Sequence, residues 1–191
     1  MRLENFDALK QIIKDRLGAR DRVSVREIGH HDNEYAYSFF CALGLEEFNV
    51  ITLGNDITVP CVDDLIKAQY GYSWNPKKQQ QITGWPLGLF VVAFSGEVAF
   101  AVNKKNHEVS LVSLDCNNVW RTEYLFNDLF EMFYGFVVIG GVAREAKNNF
   151  TDRNGVKREY VDQAKVELEQ YGFPRERIEH VLGSLGWIRK L

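Results

Sequence analysis

Acidic side chains are the first candidates for chemistry in this sequence. Asp63 and Asp64 are adjacent, and Glu97, Glu108 and Asp115 lie around a stretch of predicted strands. Paired carboxylates can act as general acid and general base in hydrolysis. Charged residues are, however, also favoured in the first turn of a helix and at the exposed ends of strands. We therefore predict no catalytic residues, and keep as an alternative a hydrolase whose active site is built from these loop carboxylates.

Histidines and cysteines are the next candidates, for metal binding or nucleophilic catalysis. His30 and His31 are adjacent, so on a strand they would point to opposite faces and could not easily hold one metal ion together. The ligand spacing of structural zinc sites is absent. Cys41 lies between apolar residues of a predicted helix, which indicates a buried, unreactive thiol, while Cys61 and Cys116 stand alone. The sequence predicts no metal site and no cofactor.

Phosphate and nucleic-acid binding have weaker signals. Gly140 and Gly141 follow an apolar run, but the lysine and hydroxyl residues of a phosphate-binding loop are missing, so the pair predicts the end of a helix. Two predicted helices at the C-terminus could form a helix-turn-helix, although such pairs are more often packing or partner elements. Residues 1–140 carry 13 bases and 18 acids, a net charge of −5. Phosphate contacts dominate affinity for nucleic acids, so we predict that nucleic acid is not the main ligand.

Composition places the chain among globular proteins. Its 191 residues are 46% hydrophobic and 26% charged. The longest apolar run, Phe133 to Val142, is about half as long as a bilayer span requires. The first residues lack the apolar segment of a signal peptide, and three scattered cysteines favour a reducing compartment. These features predict a cytoplasmic protein without a membrane partner.

Helical periodicity and capping residues predict the helices. The second of them has Asp32 or Asn33 as a possible cap and Gly44 as its end. Short strands are predicted at 23–28 and 48–53, and a linker at 147–155. The predicted helices span residues 3–17, 34–43, 63–70, 121–134, 156–170 and 173–183.

The strongest strand signal lies in the middle of the chain. Residues 87–94 form a continuous apolar run, and two further strands at 97–103 and 109–114 follow after short polar turns. Such a pattern predicts an antiparallel meander. We predict an α+β fold with an antiparallel or mixed sheet centred on this meander and flanked by helices. Residues 1–140 would form the main domain, with a helical extension at 141–191 packed on it or next to it.

Residues 71–86 predict a long loop, because they show no periodicity and contain several structure breakers. The loop carries Tyr72 and Trp74 as an exposed aromatic pair, a type of residue that protein interfaces favour. Together with Asp63 and Asp64, these two residues are predicted to bind a protein partner. The mildly acidic main domain would help to steer a basic partner towards this surface. Trp85, beside the apolar strand, is predicted to belong to the core.

The segment 84–133 resembles the SUKH superfamily, which includes a yeast cell-wall-synthesis regulator and many bacterial toxin-immunity proteins. The family pattern is an apolar strand, an acidic glycine turn, a hairpin, an aspartate with a tryptophan, and a closing helix. The chain departs from it at Asp32 and Asn33, where the family has leucine-proline, and has no family counterpart beyond about residue 140. The positions that match are Pro86, Ala93, Gly96, Glu97, Asn103, Asp115, Trp120 and a helix through Phe133.

The resemblance implies a non-catalytic, protein-binding protein. Its closest functional implication is an immunity protein that neutralises a toxin of a bacterial competition system, often a nuclease. The implied partner is a cognate toxin domain. Because members of the family bind many different toxins, the resemblance implies no particular binding residues. A regulatory interaction module without any toxin is a further alternative beside the hydrolase.

Overall fold

The protein has an α+β fold, as the sequence predicts. The computed structural model describes residues 5–23 and 33–188, so the predicted strand at 23–28 lies almost wholly outside the described residues. In chain order the strands are β1 (Phe48–Val50), β2 (Ile57–Val59), β3 (Trp74–Asn75), β4 (Gln80–Gln81), β5 (Leu89–Ser95), β6 (Val98–Asn103), β7 (Val109–Leu114), β8 (Trp120–Phe126), β9 (Thr151–Asp152) and β10 (Gly155–Val156). Six of them form an antiparallel sheet in the order β1-β2-β5-β6-β7-β8. Two small hairpins, β3–β4 and β9–β10, lie outside this sheet.

The helices begin and end at residues with recognisable capping chemistry. They are α1 (Phe6–Leu17), α2 (Glu34–Leu43), α3 (Leu129–Ala146), α4 (Arg158–Gln170) and α5 (Arg175–Ser184). The side chain of Asn5 caps α1, and that of Asn33 caps α2, while Asp32, the other candidate cap, lies outside the described residues. Gly18 and Gly44 end these two helices in the left-handed conformation. The structure confirms the predicted helix at 34–43.

The predicted meander is confirmed. β5 pairs with β6 from Leu89 to Ser95, with a bulge between Val91 and Ala93, and β6 pairs with β7. β5 begins two residues later than predicted. Leu87 is exposed, and Gly88 has a φ of 80°, so the chain turns there before it enters the sheet.

A further strand, β8, follows the meander where the sequence predicts the start of a helix. It pairs with β7 from Trp120, opposite Leu114, to Phe126. The helix α3 begins only at Leu129, where the carboxylate of Asp128 accepts a hydrogen bond of 2.8 Å from a backbone N–H of the first turn. The predicted helix at 121–134 is therefore wrong in its first half. Pairing with β7 satisfies the backbone of this segment, and that long-range contact outweighs the local helical pattern.

The helix α3 continues past the two glycines that were predicted to end a helix. Gly140 and Gly141 are buried inside it. A Cβ atom on Gly140 would lie 2.6 Å from a methyl group of Leu17 and 2.8 Å from one of Val50. The glycine thus allows α1 and β1 to approach α3 closely, and the predicted termination is wrong. Although α3 is the longest helix described, no helix among the described residues is long and apolar enough to span a membrane.

The two faces of the sheet are covered in different ways. Helices α1, α2 and α3 pack on one face and form the main core. On the other face, the small side chains of Ala99 and Ala101 leave room for the segment 62–88, which packs against them through Ala68 and Trp85. Trp85 is buried, which confirms its prediction as a core residue. Two single 3-10 turns replace the predicted helix at 63–70, and the predicted loop contains the β3–β4 hairpin.

The C-terminal helices α4 and α5 share the main core with the rest of the protein. Tyr171 stacks on Tyr134 of α3 with 4.7 Å between ring centroids, and Arg16 of α1 forms an ion pair with Glu167 of α4. The boundary predicted at residue 140 falls inside α3. The predicted linker at 147–155 holds the β9–β10 turn, and the helices predicted at 156–170 and 173–183 correspond to α4 and α5.

Candidate functional site

A cleft of about 530 Å³ opens between the β3–β4 hairpin and the beginning of β5. Concave sites with mostly apolar walls and a few convergent polar groups are the usual places for ligands and for anchor residues of a partner. The cleft combines aromatic, aliphatic and amide side chains with a lysine. Its lining residues are Tyr37, Ile66, Gln69, Tyr70, Ser73, Trp74, Gln79, Gln81, Gly88, Leu89, Phe90 and Lys104.

The hairpin that carries Trp74 is held in shape by its own turn. Trp74 lies opposite Gln81 in the two-stranded register. At the turn, the side-chain oxygen of Asn75 accepts hydrogen bonds of 3.1 Å from the backbone N–H groups of both Lys77 and Lys78. Asparagine side chains commonly stabilise turns in this way. The wall of the cleft that contains Trp74 is therefore a defined element and not the irregular loop that the sequence predicts.

Gln69 joins this segment to the sheet. Its side-chain nitrogen donates hydrogen bonds of 2.8 Å to the carbonyl groups of Leu65 and Val91. Its side-chain oxygen accepts one of 3.0 Å from the N–H of Val91 and one of 3.1 Å from the hydroxyl of Ser73. Gln69 is itself buried. One amide side chain thus takes the place of a neighbouring strand beside Val91.

The edge of β5 at the cleft is closed by side chains. The short strand β2 pairs with β5 only at Thr58 and Phe94, so the first half of β5 lacks a strand neighbour on that side. Gln69 occupies the edge at Val91, and the indole N–H of Trp85 donates a 3.1 Å hydrogen bond to the carbonyl of Leu89. Unpaired strand edges promote uncontrolled association. At this edge the carbonyl of Leu89 is bonded to Trp85, and the N–H and carbonyl of Val91 are bonded to Gln69.

Tyr72 and Trp74 are half-buried, in contrast to the exposed pair that the sequence predicts. The hydroxyl of Tyr72 donates a 2.5 Å hydrogen bond to the carbonyl of Gly96, and its ring packs against Trp85 and Phe94. Burial raises the pKa of the Tyr72 hydroxyl. Tyr72 therefore packs on the outer face of the sheet, whereas Trp74 lines the cleft.

Asp63 and Asp64, the other two residues predicted to bind a partner, are engaged in ion pairs. Asp63 pairs with the largely buried Arg22, and Asp64 pairs with Lys67 at 2.5 Å. The hydrogen bond from Lys67 lowers the pKa of Asp64. Neither aspartate lines the cleft. Of the four predicted residues, Trp74 alone is therefore placed in it.

The loop carboxylates of the hydrolase alternative lie at different ends of the sheet. Glu97 in the β5–β6 turn and Asp115 in the β7–β8 turn are at one end, and Glu108 in the β6–β7 turn is at the other. Asp115 accepts hydrogen bonds from the N–H groups of Val119 and Asn117, and these lower its pKa. Its carboxylate thus stabilises a turn. The meander keeps the three groups from forming one site.

The remaining nucleophile and metal-ligand candidates are dispersed. His30 and His31 lie outside the described residues. Cys41 is exposed, so the prediction of a buried thiol is wrong: the buried face of α2 is formed by its neighbours, and Cys41 points away from it. Cys116 is also exposed, and Cys61 is partly buried. Within residues 5–23 and 33–188, no group of three or more potential ligands is arranged to hold a metal ion.

The three thiols are expected to differ in reactivity. Burial raises the pKa of the Cys61 thiol, as does its hydrogen bond to the carboxylate of Asp64, 3.3 Å away. A raised pKa leaves less of the reactive thiolate at pH 8. We predict that iodoacetamide alkylates Cys41 and Cys116 before Cys61, measured by mass spectrometry of tryptic peptides over time. If Cys61 in the folded protein were alkylated as fast as Cys41 and Cys116, or faster, its thiol would not be buried and bonded to Asp64 as described.

The surroundings of the cleft are apolar and basic. Ile66, Tyr70 and Leu87 are 48%, 43% and 85% exposed, and Ile66 and Tyr70 line the cleft while Leu87 precedes its lining residue Gly88. Among the described lining residues, Lys104 is the single charged one. The sequence gives no signal for Lys104, which belongs to a polar turn like many others. Leu87 belongs to the apolar run 87–94, which predicts a buried strand, so the sequence does not indicate that its side chain is exposed.

Comparisons with known proteins assign no function to the chain. No family model, no curated protein and no solved structure matches the chain. The resemblance to the SUKH superfamily therefore rests on the residues of the segment 84–133 themselves.

Proposed function

We propose that this protein works by binding another protein through the cleft beside the β3–β4 hairpin. The observation that carries the proposal is the cleft itself, which is lined by Trp74, Tyr70 and the exposed aliphatic side chain of Ile66. Protein interfaces are enriched in aromatic residues, and a few such residues in a pocket usually supply most of the binding energy. Exposed apolar side chains clustered at a concave site are more typical of a protein interface than of a surface that stays in contact with water.

The scaffold around the cleft supports binding without conformational change. Gln69 makes four hydrogen bonds, two of them to Val91 of β5 and one each to Leu65 and Ser73, and Asn75 fixes the hairpin turn. A surface that is already ordered loses little conformational entropy when a partner binds. Glu108 lies at the opposite end of the sheet from Glu97 and Asp115, so these three carboxylates do not form one site of the kind that a hydrolase would need.

The biological setting that we propose is the neutralisation of a toxin in the cytoplasm, which makes the protein an immunity protein of a bacterial competition system. The support is the resemblance of the segment 84–133 to the SUKH superfamily. The order of elements in the structure is compatible with that pattern: a hairpin is followed by Asp115, then by Trp120 at the start of the additional strand β8, then by a long helix. A regulatory interaction module would use the same cleft with a different partner.

Co-expression tests this setting. A toxic domain encoded by a reading frame next to this gene would be produced from an inducible plasmid, with this protein on a second plasmid. We expect growth to be restored by this protein and not by an empty plasmid or by a tagged unrelated protein of similar size. A toxin whose growth arrest persists although this protein accumulates in folded form would contradict the immunity assignment.

A further inference from the structure

We infer that the cleft takes an acidic segment of the partner, in which a large apolar side chain enters the cleft and neighbouring carboxylates contact lysines at its rim. This inference rests on the proposed function and specifies the chemistry of the partner. It differs from the expectation, based on the net charge of residues 1–140, that the partner surface is basic.

The interior of the cleft favours a large apolar side chain. Trp74 and Tyr70 line the cleft, together with the largely buried Phe90 and Leu89. No carboxylate is found among the described residues that line the cleft. An aromatic or long aliphatic side chain would therefore lose water contacts and gain packing there, without approaching an anion.

The charge at the cleft is positive. The backbone N–H of Lys104 donates a 2.9 Å hydrogen bond to the carbonyl of Gly88, which fixes this lysine at the end of the cleft. Lys77 and Lys78 lie in the turn of the hairpin whose strands form the opposite wall. None of these three lysines has an ion pair with another described residue, whereas the nearby Lys67 is paired with Asp64.

Unpaired lysines beside a cleft with aromatic and amide side chains complement carboxylates of a partner. An ammonium group and a carboxylate form a charge-assisted hydrogen bond that is stronger than a neutral one, and complementary charge also raises the rate of association. A basic partner segment would instead meet like charges at Lys104, Lys77 and Lys78. The local charge therefore selects an acidic segment, even though the main domain as a whole is mildly acidic.

The mode of recognition follows from the closed edge of β5. The main-chain groups of Leu89 and Val91 that face the cleft are already bonded to Trp85 and Gln69. A partner segment cannot extend the sheet there by strand addition without displacing them. It is therefore recognised through side chains, with the neutral amide of Gln81 in the cleft wall to contact its main chain.

Selection from a random peptide library displayed on phage tests the inference. The wild-type protein would be the target, and the Trp74→Ala variant would remove peptides that bind elsewhere. We expect the remaining peptides to contain an aromatic or large aliphatic residue with aspartate or glutamate next to it. A synthetic peptide of that sequence should bind about fivefold more weakly to Lys104→Gln, as for the loss of one partly exposed ion pair. It should bind unchanged to Lys165→Gln, whose lysine lies on α4.

The outcomes separate this inference from the proposed function. Selected peptides that are neutral or basic, or peptides whose binding is the same for Lys104→Gln and the wild type, would overturn the acidic segment. Recovery of no Trp74-dependent peptide would overturn it as well. In each of these cases a partner protein that still depends on Trp74 would leave the proposed function standing. Thermal unfolding of Lys104→Gln should match that of the wild type, and loss of the partly exposed Lys165–Glu179 ion pair should change that of Lys165→Gln only slightly.

Discussion

Replacement of Gln69 by leucine is expected to lower the free energy of unfolding by about 4 kcal/mol. The two side chains have similar volume, so the loss is not one of packing. The variant would leave the N–H and the carbonyl of Val91 and the carbonyl of Leu65 without their present partner in a buried place. An unsatisfied buried polar group costs about 1–3 kcal/mol, and several would be created at once. Equilibrium denaturation in urea would measure the change.

A matched control is available in the same cleft. Gln81 also lines it but is exposed, so Gln81→Leu should change stability by less than about 0.5 kcal/mol. Gln69→Glu keeps one acceptor oxygen but replaces the donating NH2 group by a second acceptor, which would face the carbonyl groups of Leu65 and Val91, so it should also be strongly destabilising. If Gln69→Leu were as stable as Gln81→Leu, the side chain of Gln69 would not be the link between the cleft segment and β5.

Replacement of Gly140 by valine is expected to lower the free energy of unfolding by about 3 kcal/mol. A Cβ atom at this position already meets Leu17 at 2.6 Å and Val50 at 2.8 Å, and two further methyl groups would force α1 or β1 away from α3. Interiors are packed too densely to absorb this volume without strain. Circular dichroism during thermal unfolding would report the loss.

The control places the same side chain where there is room for it. Ala42 is exposed on α2, so Ala42→Val should cost less than about 1 kcal/mol, mainly through helix propensity. Combining Gly140→Val with Leu17→Ala should recover part of the stability, because the closest neighbour is removed. A Gly140→Val protein that unfolds like the wild type would show that α1 and α3 are not in close contact at this point.

Elements with strong local signals are the ones that sequence reasoning finds. The meander has period-2 strands and short polar turns, and α2 has both a capping asparagine at Asn33 and a terminating glycine at Gly44. β8 was missed because Leu125, Leu129 and Met132 have helical spacing, although Leu125 belongs to a strand. Its strand conformation depends on pairing with β7, a contact that local periodicity does not report.

The glycines also show that local sequence does not report contacts with distant parts of the chain. Gly140 and Gly141 predict an end to the helix when only their neighbours in sequence are considered. In the structure they provide space for Leu17 and Arg16, which come from α1 more than 100 residues earlier. Gly44, by contrast, ends α2 as predicted, because its left-handed conformation is a local property of the chain.

The candidate site depends on contacts that join distant parts of the chain. Trp74 was singled out from its residue type, but the cleft exists only because Gln69 bonds to Val91 and the hairpin folds beside β5. Lys104 reaches the cleft from a different turn. The net charge of −5 over residues 1–140 also does not predict the positive charge at the cleft, because the charge of a site depends on which residues the fold brings together.

The most direct test of the central claim, that the cleft binds a protein, is calorimetric titration of a purified partner with the Trp74→Ala variant. Loss of an aromatic anchor from an interface costs about 2 kcal/mol or more, so we predict a dissociation constant about thirtyfold higher than for the wild type. Leu114→Ala, which alters an exposed apolar side chain at the β7–β8 end of the sheet, should bind like the wild type. A folded Trp74→Ala protein with unchanged affinity would contradict the account and place the interface elsewhere.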